Sequence, residues 1–371
     1  MKKKLAIIGA SYLQKPLVLK AKEMGLETHC FAWEDGAVCK ELVDYFYPIS
    51  VLEKEEILKV CKTLKIDGIV SIASDIAVPT VSYVAEKLNL TSNSLQTAIN
   101  STNKINMKQR FLENNVSTPQ LFSLNDYNIN KKDIYFPLIV KPTDRSGSRG
   151  IYKVTNQKDL QNAVERAKKE SFNNEILIEE FIEGVEVSVE SISWMGKHYI
   201  LAITDKVTTN EPFFVEIEHH QPSQLPLKTQ EKIKSETINA LNALNINFGA
   251  SHTEIKITNN EQLYVIEVGA RMGGDFIGSN LVQLSTGYDF IKGVIEVALG
   301  NFQGINKKFK KYAGVYFLCK ETEEVKQFIN NKDKYKEIVL VEITDIKLHN
   351  VEKSADRSGY FIYQDNKKFK I

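Results

Sequence analysis

Over the first hundred residues, short apolar runs alternate with amphipathic stretches. Residues 5–9, 28–32 and 68–72 read as strands, and 16–24, 55–64 and 78–88 carry helical spacing. Strands separated by helical patterns build a parallel sheet with helices on its faces. Its first turn, Gly9-Ala10-Ser11-Tyr12-Leu13-Gln14, lacks the GxGxxG spacing of a dinucleotide site, which argues against nicotinamide binding. A Ser/Asn-rich stretch, 91–103, reads as a boundary leading into a helix with Lys104, Met107, Phe111 and Leu112. From Tyr135 the pattern turns strand-rich with hairpin turns and helices expected over 157–170 and 228–244, an α+β arrangement. Strand-like runs at 314–318 and 337–343 suggest a small final α+β lobe. The expected division is a Rossmann-like parallel-sheet domain over 1–100, a two-lobed region over 101–310 with a hinge near 182–186, and a small carboxy-terminal lobe over 311–371.

Composition narrows the function classes. The 371 residues carry 48 Lys and Arg against 47 Asp and Glu, a net charge of +1 that argues against nucleic acid as the main partner. No apolar run approaches the roughly 20 residues of a membrane helix, so no membrane partner is expected. The basic start, Met1 to Lys4, lacks the apolar length of a signal peptide. Cys30, Cys39, Cys61 and Cys319 show neither zinc spacing nor the density of a disulfide scaffold, so a reducing cytoplasm is the expected compartment. A homodimer is expected from base rates alone.

The most informative pair is Glu254 and Glu267, on strand-like runs 251–257 and 263–268 joined by the turn 258–262. Centring the turn between Asn260 and Glu261 sets the two carboxylates opposite each other on one face. On the other face Ile255 then meets Ile266, and Ile257 meets Tyr264, as a core side. Opposed like charges need a cation between them, and hard oxygens in this arrangement suit Mg²⁺ or Mn²⁺. The competing reading is a solvated face neutralised by Lys256 and Arg271.

After Glu267 the chain runs through Gly269, Arg271, Gly273 and Gly274. Arg271 has the fork to hold a phosphate or carboxylate, and the glycines let backbone amides approach a ligand. Lys141 ends a strand at the mouth of a loop containing Ser146, Gly147, Ser148 and Gly150, where a phosphate could be neutralised and covered. The run 176–189 is an apolar strand broken at Gly184. There the backbone of Glu179, Phe181 and Ile182 could meet a flat base and Glu186 a ribose, while Glu180 and Glu183 read as ordinary exposed carboxylates.

In this order, Lys104, Lys141, the 146–150 loop, residues 179–182, Glu186, Glu254, Glu267 and Arg271 resemble the ATP-grasp superfamily of carboxylate-amine ligases. The stretch 270–277 and Thr286-Gly287-Tyr288-Asp289 look most like bacterial L-amino-acid ligases and carbamoyl-phosphate-synthetase-like proteins. The amino-terminal 100 residues resemble the domain preceding the grasp fold.

The resemblance implies ATP and Mg²⁺ (or Mn²⁺) as cofactors, with a small-molecule carboxylate and an amine as substrates. Lys104, Lys141 and the loop would contact ATP phosphates, and residues 179–182 adenine. Glu186 would hold ribose, Glu254 and Glu267 the metal, and Arg271 the transferred phosphate or acyl phosphate. Glu216, His219, Arg271, Gly273 and Gly274 would meet the substrate. Many members place Asn two residues after the second metal carboxylate, where this chain has Gly269. The implied reaction activates the acid as an acyl phosphate, which an amine then displaces. Two alternatives are a bicarbonate-activating carboxylase or carbamoylating enzyme, and a nucleotide-binding protein of this fold without ligation.

Overall fold

The computed structural model describes residues 2–124, 134–145, 147, 149–209, 211 and 213–371. Strands β1 (Lys4–Ile8), β2 (Glu27–Phe31), β3 (Tyr45–Tyr47) and β4 (Gly68–Val70) form an all-parallel sheet of order β3-β2-β1-β4. Leu5, Ala6, Ile7 and Ile8 are fully buried, as expected of a parallel strand covered on both faces. The strand β3 is only three aromatic residues long, too short to show an alternation.

The Ser/Asn-rich stretch is more ordered than a boundary. It holds a helix, Leu95–Thr102, whose first turn is capped by the Ser94 hydroxyl accepting from the Thr97 amide. Asn103 then caps helix Lys104–Glu113, its side chain accepting from the Ile105 and Asn106 amides at 3.0 and 3.1 Å. That cap sets Lys104 at the first turn of the helix.

Strands β5 (Leu121–Leu124), β6 (Leu138–Pro142), β7 (Tyr152–Val154) and β8 (Ile176–Glu180) form a small antiparallel sheet, order β5-β8-β6-β7, covered by helix Gln157–Glu170. The largest sheet contains β9 (Val185–Trp194), β10 (Lys197–Thr208), β11 (Glu216–Gln221), β12 (Gly249–Ile257), β13 (Leu263–Gly269), β14 (Tyr312–Leu318), β15 (Ile338–Ile343) and β16 (Gly359–Asp365). Its order is β13-β12-β9-β10-β11-β14-β16-β15. The strands expected as a separate carboxy-terminal lobe therefore extend this sheet beyond β11.

Glu254 pairs with Glu267, but by a different route from the one the turn suggested. The turn is odd in length: Ile257 pairs with Leu263, Lys256 with Tyr264 and Ile255 with Val265. A bulge at Ile266 then restores the register. Without it Glu267 would lie opposite Thr253, on the core face. The expected Ile255–Ile266 and Ile257–Tyr264 contacts are replaced by a core of Ile255, Ile257, Val265 and Val268. Ile266 and Glu267 both line the opposite, open face.

Two contacts hold the small sheet in place, one against the hairpin of the large sheet and one against the helix Lys104–Glu113. Gly184, at φ +155°, lies where β8 passes into β9, and a Cβ there would stand 2.1 Å from the Ile257 carbonyl oxygen at the base of the hairpin. Below the cleft, the Glu179 carboxylate on β8 is buried between the ammonium groups of Lys141 and Lys108, the latter at 3.1 Å. Burial pushes the Lys108 ammonium down to about 8 against the pull of Glu179.

Gly184→Ala should therefore destabilise the protein by about 1–3 kcal/mol in denaturant unfolding, the usual cost of overpacking. Lys108 adds a pH dependence. An unfolded lysine keeps its proton to the ordinary value of 10.5, so between about pH 8 and that value the unfolded chain binds more protons than the folded one. Stability attributable to this group rises with pH there. The parent protein should gain stability relative to Lys108→Met between pH 8 and 10, and a flat difference would count against a Lys108 that loses its proton early in the fold.

Candidate active site

Residues paired across neighbouring strands share a face, so the sheet register lays out the cleft as rows. One row runs Glu267, Glu254, Ser188, Thr204 across β13, β12, β9 and β10. The next runs Lys256, Glu186, Lys206, His219 across β12, β9, β10 and β11. A third sets Gly269, His252 and Glu190 side by side. Alternation along each strand puts the intervening Val187, Val189, Ile255 and Val265 into the core below.

Lysines hold the carboxylates together, but not through the Lys256 and Arg271 of the competing reading. Lys206, 2% exposed at its side chain, reaches Glu186 at 2.5 Å, Glu254 at 2.9 Å and Glu216 at 3.2 Å. Lys104 meets Glu267 at 3.1 Å and the Arg145 carbonyl at 2.7 Å. Lys256 lies 3.7 Å from Glu186 instead of bridging Glu254 and Glu267, and Arg271 is taken by Asp75.

The electrostatics follow from this packing. Burial disfavours charge on Glu254, but Lys206 and His252 outweigh it and hold its carboxyl well below the usual range. Burial likewise opposes charge on Lys206, yet its three carboxylates keep it protonated well beyond a free lysine. Glu216 goes the other way: burial raises its carboxyl despite Lys206.

His252 forms the link in the third row. Its Nδ1 meets Glu190, and its Nε2 lies 3.5 Å from Glu254. Burial opposes its charge, but Glu190 raises the imidazole to about 9. Glu190, fully buried, also accepts the Gly273 amide at 3.0 Å. A Cβ on Gly273 would lie 2.4 Å from Glu190 Oε1 and 2.6 Å from His252 Nδ1, which is why a side chain has no room there.

Two cavities meet over these rows. The narrower, about 180 Å³, lies between the small sheet and the hairpin. Phe181, Ile182, Ile139 and Ile266 give it apolar walls, and Lys104, Lys141, Gly147, Glu179 and Glu186 line it as well. The wider, about 800 Å³, opens toward the first turn of the parallel sheet and is lined by Glu216, His219, Arg271 and Gly274. Glu254, His252, Glu216 and Arg271 border both.

His219 is 1% exposed, and neither ring nitrogen has a hydrogen-bond partner among the described residues. Burial keeps it neutral, well below the ordinary value, against the pull of Asp275. His220 instead points away, to Tyr363 and Glu218.

Some expected residues sit elsewhere. Ser146 and Ser148 lie outside the described residues. Gly150 lines neither cavity; with φ +74° it turns tightly against Pro142 and Glu170. Gly273 packs under the turn while Gly274 lines the wider cavity. Glu180, expected as exposed, is half-buried and borders the narrower cavity.

Lys108, Lys206, Asp75, Glu190, His252 and Arg357 escaped the sequence reading. Only Lys108 left a local signal, one helical turn after Lys104. Among the described residues no group of three or more His, Cys, Asp or Glu forms a metal cage. Two opposed carboxylates facing a phosphate-sized cleft nevertheless fit Mg²⁺, which takes one or two carboxylates and completes its shell with water and phosphate oxygens. Among the described residues no helix is long and apolar enough to cross a membrane.

Comparison with known proteins bears on this geometry. An ATP-grasp domain family matches residues 134–279. Alanine–anticapsin ligase of Bacillus subtilis (strain 168) is 25% identical over 302 residues, 71% of this chain, and the chain spans 64% of that relative's length. D-alanine–D-alanine ligase of Flavobacterium johnsoniae is 33% identical over 148 residues, 38% of this chain and 45% of the relative. The crystal structure of an L-amino acid ligase from Bacillus licheniformis superposes with a TM-score of 0.81 at 26% identity, covering 99% of this chain and 94% of that one. The cleft between the two antiparallel sheets thus falls largely within a stretch that matches an ATP-grasp domain, on a fold similar along almost the whole chain to that of an L-amino acid ligase.

Proposed function

We propose that this chain is an ATP-dependent ligase that joins a small carboxylic acid, an amino acid first among the candidates, to an amine through an acyl phosphate. The carrying observation is the in-register pair Glu254 and Glu267 at the junction of an apolar-walled cleft and a wider cavity bordered by Arg271. The names of the similar ligases, one joining alanine to anticapsin and one acting on L-amino acids, support the amino-acid choice.

The residues divide the work by position. Phe181, Ile182 and Ile266 offer apolar surfaces to a base, and Glu186 lies beside them for ribose hydroxyls. Lys104 and Lys141 hold positive charge along the phosphates. A magnesium or manganese ion on Glu254 and Glu267 would neutralise the phosphate oxygens.

A carboxylate oxygen of the acid, oriented by Arg271, attacks the γ-phosphorus, and the bond to the β-phosphate oxygen breaks to release ADP. The amine nitrogen then attacks the acyl carbon, phosphate leaves with the C–O bonding pair, and the amine proton passes to solvent. His219, held neutral by burial, suits hydrogen bonding to the acyl group better than proton uptake.

The test is a phosphate-release screen of amino acids, singly and in pairs, with mass analysis of products. Release should depend on both acid and amine and yield an amide. Glu267→Ala should lower turnover by about 10² to 10³-fold, the usual loss for one preorganised electrostatic contact. Bicarbonate-dependent turnover without an added acid, or a Glu267→Ala protein with unchanged Mg²⁺ dependence, would contradict the reading.

A further inference from the structure

The turn after β13 is tied down from three directions. Glu190 of β9 holds the Gly273 amide. Arg357 grips Asp275 through two hydrogen bonds of 2.9 and 2.8 Å, and Asp275 and Phe276 are both left-handed, at φ +47° and +66°. The third tie is of another kind, because it takes hold of a side chain that the proposed chemistry uses. Asp75 lies just beyond β4 of the parallel sheet, 196 residues from Arg271. It accepts Arg271 Nε on Oδ1 and Nη2 on Oδ2, both at 2.8 Å.

Gly269 makes this geometry available. A Cβ there would lie 3.0 Å from Arg271 Cζ and 3.0 Å from Asp75 Oδ1, so the guanidinium folds back over a strand position without a side chain. This is the position where many superfamily members carry Asn.

A guanidinium has five N–H groups. Asp75 takes two and the Met272 carbonyl, at 3.4 Å, a third. Two remain, the number needed for a forked grip on a phosphate or carboxylate. Glu267 and Glu190 are the next acidic groups acting on Arg271. A guanidinium released by Asp75 would be drawn toward Glu267 and would compete for the carboxylate assigned to the metal.

We infer that Asp75 is a positioning residue for Arg271: it holds the guanidinium over Gly269, clear of Glu267, with its free edge toward the transferred phosphoryl group. The inference rests on the anion-binding role proposed for Arg271. It also gives the amino-terminal parallel sheet, which contributes no group to the nucleotide cleft, a direct influence on the chemistry.

The test titrates inorganic phosphate, as a stand-in for the transferred group, into the full chain saturated with ADP and Mg²⁺, with binding read by calorimetry. Asp75→Asn should weaken phosphate binding by about tenfold or more, within the range seen when a ligand's supporting partner is removed. Affinity for Mg²⁺·ADP should stay within about twofold. Gly269→Ala, which crowds the guanidinium while keeping both charges, should weaken phosphate binding too. In an Arg271→Met background, Asp75→Asn should add no further loss.

Unchanged phosphate binding in Asp75→Asn would overturn the inference, as would an equal loss of phosphate and ADP affinity, which marks a general structural defect. Phosphate binding that is absent from the parent, or that survives Arg271→Met, would overturn the role of Arg271 itself and the inference with it. Intact loss in Arg271→Met beside a normal Asp75→Asn would sink only the positioning claim.

Discussion

Carboxylates gathered on one face of a β-sheet repel one another unless cations are threaded between them, and that requirement governs the cleft. Glu186, Glu216 and Glu254 come from three different strands and converge on the single ammonium of Lys206. Burying that lysine is tolerable because three opposite charges surround it. A cation arriving with a nucleotide would therefore enter a lattice already balanced, displacing lysine contacts instead of filling an empty negative hole.

The same lattice joins the two cavities. Glu254, His252, Glu216 and Arg271 belong to the shared wall, so a group moved from the narrow cleft toward the wide one stays within reach of fixed charges. Each of these four is anchored elsewhere: His252 by Glu190, Arg271 by Asp75, Glu216 and Glu254 by Lys206. Preorganisation of this kind removes the cost of aligning dipoles during the reaction.

What could be read from the chain alone was what short-range pattern encodes. The parallel strands and the helix opening at Lys104 follow from local periodicity and turn chemistry, whereas the hairpin's opposed carboxylates are expected through a register the turn does not have, and a bulge at Ile266 supplies the pairing. Lys206 stayed hidden because its partners lie 10 to 48 residues away on three strands, and nothing in its own neighbourhood marks it. Asp75 is more remote still, tied across sheets by tertiary packing only. The carboxy-terminal strands looked like a separate unit because periodicity reveals a strand but not its neighbour, and the pairing of β11 with β14 is a long-range choice.

The bulge at Ile266 decides which side of the sheet carries the charge. Leu263 closes the hairpin on the core-facing Ile257, and four residues further on strict alternation would send Glu267 inward. The 258–262 turn can change in length without affecting this while that closing pair holds. Straightening the bulge without removing a residue between Leu263 and Glu267 would instead bury the carboxylate, so the hairpin is tolerant at its tip and intolerant along β13.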